Sequence, residues 1–148
     1  MTTTDRWLLE RADKQKQADA QASKLTGSFK ATRYAAKFDD GFDGLWKSLQ
    51  TEIARQVGVY NDAVGRSDAL VATMSPTSIG VRASDGRELT ISVDRTQRTL
   101  IEAFRNSAGA TRSQRPRIGL RVDSEGRLAF NFGVVRSAAA SILRRVID

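Results

Sequence analysis

The side chains that most often perform acid–base, covalent or metal chemistry are missing from this sequence. It has no cysteine and no histidine, which excludes zinc thiolate sites, cysteine nucleophiles and Ser-His-Asp arrangements. Phosphate-binding-loop, metalloprotease and serine-hydrolase motifs are absent as well. We therefore predict no catalytic residue, no metal ligand and no cofactor. An enzyme that works with a lysine or with carboxylates is the least favoured alternative, and its candidate acids are Asp39, Asp40, Asp43 and Glu52.

Three of these acids lie within five residues, a density that invites a metal-site interpretation. Their spacing lacks the alternating order of a calcium-binding loop. Acids are also favoured at the start of a helix, where they cap free N–H groups and complement the helix dipole. We predict that Asp39, Asp40 and Asp43 begin the helix that follows them.

Arginine is concentrated in the last third of the chain. Residues 95–148 contain eleven arginines, no lysine and four acids, a surplus that equals the net charge of +7 of the whole chain. The guanidinium group offers a flat pair of donors that matches phosphate and carboxylate. A nucleic acid or another anionic ligand is therefore the second functional hypothesis. Its candidate residues lie in the Gly/Ser/Arg-rich stretch 105–116 and on the adjoining strand: Arg105, Arg112, Arg115, Arg117 and Arg121.

The N-terminal stretch presents a different kind of binding feature. Residues 4–25 are rich in Ala, Gln, Lys and Arg and predict a helix. Its large apolar residues cluster at one end, at Trp7, Leu8 and Leu9, so such a helix buries little of itself. We predict that these three residues dock onto a protein partner or onto a second copy of the chain.

The remaining pattern defines the elements that position these groups. Residues 26–41, punctuated by Gly27 and Gly41, predict a connector, and residues 42–61 predict a helix with one continuous apolar face. Apolar alternation then predicts strands. They span residues 69–74, 78–83, 88–93, 117–122 and 127–132. Residues 97–104 fit a helical turn or a strand, and their place between strands favours a strand.

The C-terminal residues 134–147 predict a second amphipathic helix. We predict an α+β fold in which an antiparallel meander of five or six strands has one face covered by the helices at 42–61 and 134–147. Residues 1–37 form a helical extension and connector, and residues 38–148 a single domain. No segment has the length and apolarity to span a membrane, and the N-terminus resembles no export signal, so we expect a cytoplasmic protein. A non-enzymatic protein–protein interaction or assembly module is the function we favour.

Overall fold

The computed structural model describes residues 3–114, 118–131 and 133–148. The chain divides into two units, Met1–Ala36 and Lys37–Asp148. The second unit contains both β-sheets and the C-terminal helix. Along the chain the elements are α1 (Thr3–Val64), β1 (Leu70–Met74), β2 (Ser78–Ala83), β3 (Glu88–Asp94), β4 (Thr99–Arg105), β5 (Thr111–Gln114), β6 (Leu120–Val122), β7 (Leu128–Phe130) and α2 (Val135–Ile147).

Helix α1 is one continuous element, so the predicted connector at 26–41 is wrong. Gly27 and Gly41 lie inside the helix, where each costs up to about 1 kcal/mol relative to alanine. Between residues 37 and 64, burial of large side chains offsets that cost. Their spacing places them on one helical face: Phe38, Phe42, Trp46, Leu49, Ile53 and Val57.

The end of α1 is fixed to the first strand by a buried amide. The side chain of Asn61 donates to the carbonyl oxygens of Ser67 (3.1 Å) and Leu70 (2.9 Å), and its oxygen accepts from the Leu70 N–H at 2.8 Å. Gly65, with a φ of 81°, reverses the chain, and its N–H donates to the Asn61 carbonyl. Because positive φ favours glycine, α1 ends here.

Strands β1 to β5 form one antiparallel sheet in sequence order, which confirms an antiparallel meander. The strands predicted at 117–122 and 127–132 are not part of it, so their predicted place in the meander is wrong. The prediction of a strand at 97–104 is confirmed by β4. The stretch 105–116 is not a loop throughout, because residues 111–114 form β5 and pair with β4. The turn before β5 is tight, with the Asn106 and Gly109 backbones hydrogen-bonded, which brings the chain back after five residues.

The two later strands form a separate two-stranded sheet, β6–β7, in which Leu120 pairs with Phe130. Helix α2 packs on β2 and β3. The inward residues of the large sheet, the buried face of α1 and the buried face of α2 make up one core. The α+β fold with an antiparallel sheet covered on one face by two helical segments is therefore confirmed.

Candidate interaction sites

The predicted docking residues lie near the start of α1 and are solvent-exposed. Trp7 and Leu8 are each 54% exposed and Leu9 is 53% exposed. The guanidinium of Arg11 lies 5.5 Å from the centre of the Trp7 ring, a cation–π contact one helical turn away. Sequence reasoning did not select Phe29, which is 72% exposed on the same helix.

The unit Met1–Ala36 buries little of its own surface. Among the residues whose side chains the structure describes, none from Asp5 to Ala36 is buried. Stable protein helices usually depend on packing of an apolar face rather than on helix propensity alone. Among the described side chains of this unit, the exposed aromatic and leucine residues therefore have no buried neighbour to pack against.

Of the five predicted anion-binding arginines, the structure describes the side chains of two, Arg105 and Arg121. Arg105 ends β4, and the backbone of Arg112 lies on β5, so both belong to one hairpin. The Arg105 guanidinium lies 3.8 Å from the Glu88 carboxylate on β3. Arg121 is exposed on β6, in the other sheet. The remaining parts of the prediction lie outside the described residues: Arg115, Arg117 and the side chain of Arg112.

Asp39, Asp40 and Asp43 all lie within α1, so their predicted role at the start of a helix is wrong. Asp39 and Asp43 instead pair with arginines. Arg98 donates two hydrogen bonds of 3.0 Å to the Asp39 carboxylate, and Arg95 donates to Asp43 at 2.8 Å. The hydrogen bond from Arg98 holds the pKa of Asp39 below its ordinary value. Arg95 also lies 5.4 Å from the centre of the Phe42 ring.

Glu52, the fourth candidate acid, is also occupied by cationic and amide donors. Arg55 donates to its carboxylate at 2.6 Å and Gln56 at 3.0 Å, and the Arg136 guanidinium of α2 lies 4.0 Å away. The hydrogen bonds from Arg55 and then Gln56 lower the pKa of Glu52 from 4.5 to about 2. A carboxylate held ionised in this way is a poor general acid or base near neutral pH.

An ion pair inside the core was not predicted from sequence. Glu102 on β4 is fully buried, and the Arg145 guanidinium of α2, only 11% exposed, donates to it at 2.6 Å. The N–H of Ile118 lies 3.4 Å from the other carboxylate oxygen. The pair joins the sheet to α2 across the core. Because the carboxylate is closed to solvent and satisfied by protein donors, its arrangement indicates a structural role.

An apolar groove lies between the last turns of α1 and α2, wholly within the unit Lys37–Asp148. Its volume is about 400 Å³. Val59, which is 57% exposed, is part of its lining, and Arg144 borders it. The lining residues are Arg55, Gln56, Val59, Tyr60, Ala63, Ala140, Leu143, Arg144 and Ile147.

A second concavity of about 510 Å³ lies beside Gly44, Ser48 and Val135 and is more polar. Across the part of the chain that the structure describes, no three histidine, cysteine, aspartate or glutamate residues group as a metal site. Within the same residues, no helix combines the length and apolarity needed to cross a membrane. No family model matches the chain, and comparison with curated proteins and with solved structures gives no match.

Proposed function

We propose that this chain is a non-enzymatic protein–protein interaction or assembly module that docks through Trp7, Leu8 and Leu9. The exposure of these three large side chains carries the proposal, together with the lack of any buried residue among the described side chains of their helical unit. The proposal includes the cytoplasmic location expected from the sequence.

The energetic argument rests on apolar area. Complete burial of one such side chain contributes about 1.5–3 kcal/mol, so a partner that covers all three gains several kcal/mol. Tryptophan is also among the residues that most often dominate binding interfaces. Docking would give the first turns of α1 the tertiary packing that their own unit does not provide.

The two other functions receive less support. Of the candidate catalytic acids, Asp39, Asp43 and Glu52 are paired with arginines, which favours a structural role for them. For anion binding, the arginine surplus is partly neutralised by acids from the first two-thirds of the chain. A nucleic acid or other anionic ligand is the alternative that the experiment below separates from protein docking.

The test compares the wild-type chain with the triple variant Trp7→Ala/Leu8→Ala/Leu9→Ala. Alanine keeps the helix propensity and removes the apolar surface. A matched control, Lys14→Ala/Lys16→Ala, changes exposed residues of the same unit. Light scattering after size-exclusion chromatography gives the mass, and the absorbance ratio at 260 and 280 nm reports bound nucleic acid. Affinity purification from the source cells recovers any other protein partner.

We expect the wild type and the lysine control to form a complex, either with further copies of the 16.3 kDa chain or with a recovered protein, and the triple variant to lose it. Assembly through apolar contacts should persist at high salt. A chain that associates with nothing, or whose complex survives the triple substitution, would overturn the proposal. A monomer that carries nucleic acid removable by salt would favour the arginines instead.

A further inference from the structure

We infer that the groove between α1 and α2 receives the segment Asp5–Asp13 of a second copy of this chain. The inference rests on the proposed function and adds to it the identity of the partner and the receiving surface. In this arrangement each copy offers one docking segment and one groove.

The groove has the chemistry of a helix-binding site. Two helices border it, and its floor and walls include Leu143, Ile147, Ala63 and Ala140. Val59 is more than half exposed there although it lies between buried turns of α1. An amphipathic helix placed between two others buries such residues by ridge-into-groove packing.

Charge complementarity selects the segment from the chain's own N-terminus. On a helix, Asp5, Leu9 and Asp13 follow one another at four-residue spacing, and Leu8 lies three residues after Asp5, so Leu9 has an acid on either side along this face and Leu8 has one. The groove is bordered by two cations, Arg55 and Arg144. An apolar centre with acidic ends therefore faces an apolar centre with basic edges.

The two arginines differ in whether their guanidinium groups already pair with an acid. Arg55 pairs with Glu52 on its own helix, and its side chain is still half exposed. Arg144 is exposed and makes no ion pair with any residue that the structure describes. Arg144 is accordingly the cation we assign to an acid of the docked segment.

The experiment uses two complementary full-length variants. The segment variant, Leu8→Ala/Leu9→Ala, has an intact groove. The groove variant, Val59→Asp, has an intact segment and puts a charged carboxylate in the apolar centre of the groove, where the leucines of the segment must lie. Val64→Asp is the matched control, because Val64 is an exposed valine (47%) on the same helix that does not line the groove. Circular dichroism and thermal unfolding verify that each variant folds.

We expect the wild type and Val64→Asp to self-associate, and the segment and groove variants to be monomers, each at least tenfold weaker in association. Mixing the two monomeric variants should restore a one-to-one complex, because one intact segment then meets one intact groove. A second groove variant, Arg144→Glu, should weaken association and should be rescued in part by Asp13→Arg.

Four results would overturn the inference. Self-association of Val59→Asp and Arg144→Glu at wild-type strength would reject the groove while leaving docking through Trp7, Leu8 and Leu9 intact. Two monomeric variants that do not complement each other on mixing would reject a second copy as the occupant. A monomeric wild type that binds a different protein would also reject it, and one that binds no protein would reject the proposed function as well.

Discussion

Among single residues, Glu102 and Arg145 form an ion pair inside the core, where each charge depends on the other. A buried carboxylate and guanidinium lose their hydration, and that loss is offset only while each has the other. Glu102→Gln would keep the shape of the side chain and leave Arg145 with an uncompensated charge. We expect the free energy of unfolding to fall by about 3–5 kcal/mol, measured by urea denaturation.

Two comparisons make this prediction specific. The double substitution Glu102→Leu/Arg145→Met removes both charges, and we expect it to recover most of the lost stability. Arg136→Met alters an arginine that is 79% exposed and 4.0 Å from its acid, so its effect should stay below about 1 kcal/mol. Equal effects of Glu102→Gln and Arg136→Met would contradict a structural role for the buried pair.

Glu52 gives the second residue-scale prediction, which concerns pH. Its pKa is about 2 in the folded chain and 4.5 ordinarily, so folding favours the ionised form of the carboxylate. Its contribution to stability is therefore complete above pH 4.5 and is lost as the pH falls toward about 2. We expect the stability difference between wild type and Glu52→Gln to shrink across that window in urea denaturation at several pH values.

The donor of the strongest hydrogen bond supplies the control. Arg55→Met removes the largest cause of the lowered pKa of Glu52 and should remove much of the same pH dependence. A stability difference between wild type and Glu52→Gln that is unchanged from pH 6 to pH 2.5 would show that these hydrogen bonds contribute little.

At the scale of elements, α1 carries a glycine whose side-chain space is open. Gly58 lies inside the helix, is exposed, and a Cβ built there meets no atom within 4 Å. Alanine loses less backbone freedom on folding, so we expect Gly58→Ala to raise the free energy of unfolding by about 0.5–1 kcal/mol.

The matched comparison uses a glycine that its turn requires. Gly86, between β2 and β3, has a φ of 94°, a conformation that a side chain strains. Gly86→Ala should destabilise the chain by more than about 1 kcal/mol in the same urea denaturation. A destabilising Gly58→Ala would mean that α1 is strained at that position.

The elements that could be predicted from sequence are those whose type follows from the apolar periodicity of their own segment. The apolar face from Phe42 to Val57 and the alternation in β2 and β3 depend on burial within one segment. The connector predicted at 26–41 was wrong because Gly27 and Gly41 are local signals, while continuation of the helix is stabilised by burial of side chains such as Phe38. β5 was missed because its residues are polar and lack the apolar alternation that predicts a strand. It forms through backbone pairing with β4, which the local sequence does not indicate.

The same distinction holds for the candidate sites. The exposure of Trp7, Leu8 and Leu9 could be predicted, because the sequence shows that their helix has too few apolar residues to form a buried face. The Glu102–Arg145 pair joins residues 43 positions apart, and its only local signal was alternation in β4, where Leu100 and Glu102 share the inward row. The pairing of Asp39 with Arg98 likewise depends on tertiary contact, so composition alone gave a charge surplus without its neutralisation.

At the scale of the whole molecule, the chain's uneven charge is partly balanced by folding. Acids of residues 39–88 lie against arginines of residues 95–136: Asp39 with Arg98, Asp43 with Arg95, Glu52 with Arg136 and Glu88 with Arg105. Pairs of this kind on the surface add little stability, yet they reduce the positive potential that an anionic polymer would meet. The net charge of +7 therefore overstates the attraction for nucleic acid.

We accordingly expect binding to duplex DNA or to RNA to be no tighter than ordinary nonspecific association, with dissociation constants of about 10⁻⁴–10⁻⁶ M. Because such binding releases counterions, it should weaken steeply when salt rises from about 50 to 200 mM in a fluorescence anisotropy titration. Arg105→Glu/Arg121→Glu should weaken it further at low salt, while Trp7→Ala/Leu8→Ala/Leu9→Ala should leave it unchanged. Nanomolar binding that persists at 200 mM salt would contradict this expectation and would assign the function to the arginines of residues 105–121 instead of the N-terminal apolar residues.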